Sequence, residues 1–232
     1  MSRTLAVMQP YFFPYIGYWQ MIHAVDDFII YDDVNFIKSG YINRNSILVN
    51  KKSHGITLPV QGASSNKLIN ELTIAQQPKK IVKSIKQAYA KAPYFKEVMP
   101  VVEDALLLDE KNLAKYLTYG LTQIAKYLLI ETEIHVSSQI ERPDELDRTE
   151  RLIHFCRHFD SDRYINAIGG QELYDKKYFQ ERNIELNFIK MNSIEYEQYT
   201  SMDFIPFLSI IDVMMFNERS DIKEMLNDYT LI

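Results

Sequence analysis

Residues 5–20 read LAVMQPYFFPYIGYWQ, and residues 26–45 read DDFIIYDDVNFIKSGYINRN. Together the two stretches decide the fold. Leu5–Met8 is a short apolar run without alternation, the pattern of a strand covered on both faces. Pro10 and Pro14 bar regular structure after it. Tyr18–Ala24 reads as a helix beginning after Gly17, and Phe28–Tyr31 as a second buried strand. Strand, loop, helix and strand in this order form a βαβ unit with parallel pairing. Both strand ends run into prolines, aromatics, carboxylates and amides, and open α/β sheets bind ligands beyond the carboxyl ends of their strands.

Working outward, Ser46–Val49 and Ile56–Val60 flank KKSHG, which reads as a hairpin turn, and Glu71–Ala75 as another short strand. From Pro78 the period changes to that of helices. Ile81, Ile85, Ala88 and Ala92 share one face, and Phe95–Leu108 and Asn112–Leu128 continue as helices. Strand and helix then alternate again: Ile134–Ser137, Thr149–Phe159, Arg163–Ala167, Tyr174–Arg182 and Ile184–Ile189, with closing helices at Phe207–Phe216 and Ile222–Asn227. The expected fold is one α/β domain over residues 1–232, a parallel, Rossmann-like sheet with a helical subdomain inserted at about 77–130.

Composition narrows the function classes. The chain has 232 residues, 47% of them hydrophobic, enough for one sizeable core. Its net charge of −5 gives no overall nucleic-acid footprint. The single cysteine, Cys156, excludes an intrachain disulfide, fits a reducing cytoplasm, and sits in a helical pattern where burial is the ordinary state of a free thiol. The start MSRTLAVMQP lacks a signal-peptide pattern, and no apolar run has the length of a membrane span. The expected location is therefore cytoplasmic.

The proline loop is the first site candidate. It carries neither GxGxxG nor GxxxxGK[ST], so the known phosphate fingerprints do not apply. Gln9 offers a donor and an acceptor, Pro10 and Pro14 stiffen the loop, and Tyr11, Phe12 and Phe13 offer walls; the alternative is a stiff loop packed by aromatics. Asp32 and Asp33 follow the second strand, where one carboxylate would hold sugar hydroxyls or a metal while the other caps a turn; a solvated turn is the alternative. Lys38 and Arg44, with Asn43 and Asn45 beside the arginine, suit a diphosphate or a carboxylate. Pairing of Arg44 with Asp32 or Asp33 is the structural alternative. Gly169 and Gly170 at a strand-to-helix junction would leave amides free for an anion, or simply make a tight turn. His23 is the candidate general base. His154 and His158 stand four apart without a third ligand between them, and no metal site is expected.

Four motifs carry a family resemblance: AVMQPYFFPYIGYWQMI, DDFIIYDDVNFIKSGYINRN, YINAIGGQELYD and EYEQYTSMDFIPFLSIIDVMMFN. In this order they resemble the WbqC-like protein family over most of the chain. Gln9, Pro10, Pro14, Gly17 and Tyr18 match the first motif, and Asp32, Asp33, Lys38, Asn43, Arg44 and Asn45 the second. Gly170 and Tyr174 fall in the third, and Gln198, Ser209 and Asp212 in the fourth. Ala167 and Ile168 stand where small polar residues belong, which weighs against anion binding at that turn. A more distant likeness is to nucleotidyltransferases, which carry HxGH where PYIGY stands here. Pro14 and Tyr18 replace the two histidines, so nucleotidyl transfer by that chemistry is not expected.

The resemblance implies work on surface polysaccharides such as O-antigen or capsule, and on nucleotide-linked amino sugars. The expected reaction is transfer of an acyl or aminoacyl group, such as glycyl, onto the sugar amine. The expected partners are the nucleotide-linked sugar and an activated donor; an aminoacyl-tRNA donor would be the one nucleic acid involved. In that reading Lys38 and Arg44 grip the diphosphate, Asp33 or His23 is the base, and Asn43 and Asn45 stabilise the oxyanion. Gln9, Pro10, Tyr11, Tyr18, Asp32, Gly170 and Tyr174 complete the substrate contacts, and the pocket lies between the proline loop and residues 32–45. The second class of function is a non-catalytic sugar-nucleotide or partner-binding protein of the same pathway.

Overall fold

Leu5, Ala6 and Val7 are all buried, with Leu5 and Val7 facing one hydrophobic cluster and Ala6 the other. This two-residue alternation between two apolar environments marks a central strand. The computed structural model describes residues 2–199 and 203–232. Among them the elements are β1 (Thr4–Met8), α1 (Ile16–His23), β2 (Asp27–Ile30), β3 (Arg44–Val49), β4 (Lys52–Thr57), β5 (Val60–Gln61), β6 (Thr73–Ile74), α2 (Lys79–Tyr89), α3 (Phe95–Leu107) and α4 (Leu113–Tyr127). The chain continues with β7 (Glu133–Val136), α5 (Arg148–His158), β8 (Arg163–Ala167), α6 (Lys176–Gln180), β9 (Glu185–Met191), α7 (Ile210–Phe216), α8 (Arg219–Asn227) and β10 (Tyr229–Leu231).

The fold is mixed α/β around a mostly parallel six-stranded sheet of order β10-β9-β8-β1-β2-β7. The chain builds outward from β1 through β2 to β7, then returns to the other side of β1 and builds through β8 and β9. Growth therefore reverses between β1 and β8, where the carboxyl ends of neighbouring strands splay their loops apart and leave a crevice. β10 closes the β9 edge and is antiparallel, so the sheet is not wholly parallel as the sequence suggests. The sequence expectation has no counterpart for β10, which is a three-residue strand with a half-exposed face.

One face of the sheet is covered by α1, α7, α8 and the helices between β2 and β7, the other by α5 and α6. Helix α1 buries Trp19, Met21 and Ile22, and its Trp19 Nε1 donates to the Pro14 carbonyl at 3.1 Å. The helices expected at about 77–130 are α2, α3 and α4. On α2 the buried set is Ile81, Val82, Ile85 and Tyr89. Asn112 caps α4 by accepting from the Lys115 amide at 3.1 Å, and Asp147 caps α5 by accepting from Glu150 at 2.9 Å.

The hairpin differs in detail from expectation. Asn50 and Lys51 make the turn with φ of 50° and 60°, the left-handed pair that suits a two-residue hairpin loop. Residues 52–55 of KKSHG pair as strand, with Ile47 opposite His54 and Ser46 opposite Gly55. No helix of the described residues is long and apolar enough to cross a membrane.

Candidate functional site

The proline loop is held by hydrogen bonds onto its own carbonyls. Tyr18 Oη donates to the Gln9 carbonyl at 2.9 Å, and Asn45 Nδ2 to those of Phe12 and Phe13 at 3.0 and 2.6 Å. Ser209 Oγ also donates to the Phe13 carbonyl, at 2.8 Å, and the Ile210 amide donates to that of Pro14 at 3.0 Å. The Phe12 amide donates to the Tyr41 carbonyl at 3.0 Å. Phe13 sits at φ 44°, a left-handed position that a non-glycine residue keeps only when its surroundings fix it. Segments far apart in sequence, Asn45 of β3 and Ser209 before α7, supply that fixation.

A cleft of about 1110 Å³ opens beside this loop. One wall is Tyr11, Tyr15, Gly17 and Tyr18, with Tyr41 and Asn45 next to them. Its floor is the carboxyl end of β1 at Met8 and of β8 at Ala167, followed by Ile168 and Gly169. The facing wall is the stretch from Ile189 to Tyr196 that leaves β9, with Phe204, Pro206, Phe207 and Leu208. The cleft thus occupies the crevice where sheet growth reverses, the position that strand order dictates for a ligand in an open α/β sheet.

Two charged residues belong to the lining among the described residues, Lys190 and Glu195. Both are exposed, and neither has an ion pair among the described residues. Ser193 lies between them in sequence and also lines the cleft. Behind the facing wall lies the fully buried Asp212. It accepts from Tyr89 Oη and Tyr196 Oη, both at 2.7 Å, and from Gln198 Nε2 at 2.8 Å. Burial pushes its carboxyl up, and these three donors pull against that without reversing it. Tyr196 lines the cleft, so the network fixes one of its rings. Burial also pushes the phenols of Tyr11 and Tyr15 up, which keeps them neutral donors.

The structure brings Tyr11, Tyr18 and Asn45 of the expected residues to the cleft. Asn45, however, has its amide committed to the loop and its Oδ1 to the Ser46 amide at 2.8 Å, so it shapes the wall rather than offering an oxyanion donor. Gln9 and Pro10 belong to the loop but not to the lining. The cleft meets the expected location, between the proline loop and residues 32–45, only at Tyr41 and Asn45, and from there it extends to the β8 side of β1. The expectation followed β1 and β2 alone, and the crevice forms where growth reverses.

The other expected residues lie elsewhere. Asp32 is buried and accepts from Ser137 Oγ at 2.9 Å, Ser138 Oγ at 2.7 Å and the Ser138 amide at 3.0 Å. Asp33 lies 2.5 Å from the same Ser137 Oγ, whose single proton the two carboxylates share, and pairs with Arg142 rather than Arg44, so both aspartates tie the end of β2 to residues after β7. Asn43 donates to the Leu58 carbonyl at 2.9 Å, a strand-edge contact. Lys38 and Arg44 are exposed and outside the lining. Gly170 packs against Asn166, and Tyr174 packs edge-on against Phe179 in the cluster beneath α5 and α6. His23 ends α1 two residues beyond Met21, the last α1 residue of the lining, and is not itself in the lining. Burial pushes its imidazole down, with Asn227 opposing and Lys223 adding to the shift.

Among the described residues one cluster has metal-ligand spacing, Asp27, Glu133 and His135, at the opposite end of the strands. The Arg3 guanidinium already occupies it, with Nε 2.5 Å from Asp27 Oδ2 and a second nitrogen 3.7 Å from Glu133. His154 and His158 stack at 6.4 Å, with His154 Nε2 on the Glu141 carbonyl at 3.0 Å.

The residues missing from the sequence expectation include Tyr15, Tyr41, Lys190, Ser193, Glu195, Tyr196 and Phe207. Their signal was present: KMNSIEYEQY leaves a buried strand as a polar and aromatic run, the same pattern as the first two strand ends.

Fold and cleft together define an α/β protein with a strand-end cleft walled by tyrosines. The chain belongs to the WbqC-like protein family, whose sequence pattern matches residues 9–224. It is 28% identical over 230 residues to the uncharacterized protein Rv1507c of Mycobacterium tuberculosis, a match that covers 97% of each chain. No solved structure matches.

Proposed function

We propose that this protein is a cytoplasmic transferase of surface-polysaccharide biosynthesis that forms an amide on the amine of a nucleotide-linked amino sugar. The donor is an activated acyl or aminoacyl group such as glycyl. The observation that carries this reading is the cleft at the reversal of sheet growth, with Lys190 and Glu195 among the residues of one wall and Tyr11, Tyr15 and Tyr18 on the other. The strand order, counted along the chain as 6-5-4-1-2-3, supports a Rossmann-like nucleotide site there.

In this reading Lys190 holds the diphosphate as a point charge. The sugar amine attacks the donor's carbonyl carbon, the C–N bond forms, and the bond to the donor's leaving group breaks. The proton shed by nitrogen passes to Glu195 and on to the leaving group. Ser193 offers a hydroxyl to the oxyanion. This reading gives Asp33 and His23 no part in the chemistry, because Asp33 is committed to Arg142 and neither residue lines the cleft.

The test incubates the protein with amino-sugar nucleotides and a donor panel that includes ATP with amino acids, acyl thioesters and aminoacyl-tRNA. Mass spectrometry follows the sugar nucleotide. An amide product that Glu195→Gln loses supports the reading. Unchanged sugar nucleotides across the whole panel, despite tight binding, would instead make the protein a sugar-nucleotide-binding component of the same pathway.

A further inference from the structure

Tyr11, Tyr15 and Tyr41 come from two loops and line the same end of the cleft. The Tyr11 and Tyr41 ring centres are 5.8 Å apart. The hydroxyls of all three lie near enough that ionising one opposes ionising its neighbours. None of the three hydroxyls has a hydrogen-bond partner among the described residues. That sets them apart from Tyr18, Tyr89 and Tyr196, whose hydroxyls are all committed.

Gly17 is built around this arrangement. A Cβ there would stand 2.5 Å from Tyr15 Cε2 and 2.8 Å from the Tyr15 hydroxyl oxygen. The glycine of PYIGY therefore lets the Tyr15 ring fold back over α1. Tyr41 is 62% exposed and Tyr15 36%, so the rings form an open end of the cleft rather than part of the core.

We propose that Tyr11, Tyr15 and Tyr41 form the subsite that holds the sugar ring, with Lys190 holding the phosphates at the other wall. The inference rests on the nucleotide-sugar reading above and deepens it. A sugar ring presents hydroxyls around its rim and an apolar face of C–H groups. A phenol hydroxyl both donates and accepts, and its ring offers an apolar face, so three of them match a polyhydroxylated ring. No charged side chain stands among the three, and an anion would call for one.

The test is calorimetry with UDP- and dTDP-linked amino sugars, each beside its bare nucleoside diphosphate, on the whole chain. The variants are Tyr11→Phe, Tyr15→Phe, Tyr41→Phe and Gly17→Ala. Each tyrosine variant loses an uncommitted hydroxyl, so it breaks no internal hydrogen bond. The expected result is sugar-nucleotide binding weakened about three- to tenfold in each, with bare nucleoside diphosphate unchanged. Gly17→Ala should act in the same direction by displacing Tyr15. Sugar-nucleotide binding that matches wild type in all four variants would overturn the subsite and leave the transferase reading standing. Equal loss for sugar nucleotide and bare diphosphate would also overturn it. A wild type that takes up no compound of the panel would overturn both.

Discussion

The Asn45 side-chain amide lies 2.6 Å from the Phe13 carbonyl, and Ser209 Oγ reaches the same oxygen from the other side at 2.8 Å. Two distant segments thereby share one acceptor and hold a backbone kink that shapes the cleft wall. Asn45→Ala removes that bond, a second onto Phe12 and a third to the Ser46 amide. The expected loss of stability is about 2–4 kcal/mol. Ser209→Ala should cost about 1–2 kcal/mol. Because the two donors share an oxygen, the double variant should depart from additivity by about 0.5 kcal/mol or more. Urea unfolding of the four proteins checks this, and simple addition would show that the two bonds act independently.

Asp212 makes stability depend on pH with a defined sign. Its folded carboxyl holds a proton more tightly than the ordinary 3.8, because burial outweighs its three donors. The native state then binds more protons than the unfolded chain between 3.8 and the raised value. This contribution is fully present below 3.8 and is lost as pH rises through the folded value. Wild type minus Asp212→Asn should therefore show a stability difference that grows in favour of wild type as pH falls. Urea titrations between about pH 4 and 8 measure it. The opposite slope would mean that Tyr89, Tyr196 and Gln198 overcome the burial.

Cys156 should be inert in the native protein. It is fully buried on the inner face of α5, and burial pushes its thiol up to about 12. A thiol reagent at neutral pH should label it only at the rate of unfolding, while the urea-unfolded chain reacts at once. Prompt labelling of the native protein would contradict this placement.

The βαβ start was legible in the sequence because its signals are local. Leu5–Met8, the prolines and Phe28–Ile30 carry their own structure. The three inserted helices were legible for the same reason, since periodicity repeats within each. The site was legible only in part. Residues 5–20 were read as one wall of a pocket, and Tyr11 and Tyr18 do line it. The other wall depends on which strand lies beside β1, and pairing of Leu5 with Tyr164 joins residues that no local pattern connects. Asp32, Asp33 and Asn43 looked like ligand groups because buried polar side chains that fasten a fold have the same residue types as those that bind substrates. Here their partners are internal: Ser137, Ser138, Arg142 and Leu58.

The location of the ligand is the central claim, and one comparison tests it most directly. Calorimetry with an amino-sugar nucleotide would be run on wild type, Lys190→Ala and Arg44→Ala. A ligand in the cleft between β1, β8 and β9 predicts binding weakened about tenfold or more by Lys190→Ala, as for loss of a charge-assisted contact, and unchanged by Arg44→Ala. Binding lost with Arg44→Ala and kept with Lys190→Ala would move the ligand to the stretch after β2 and contradict the account.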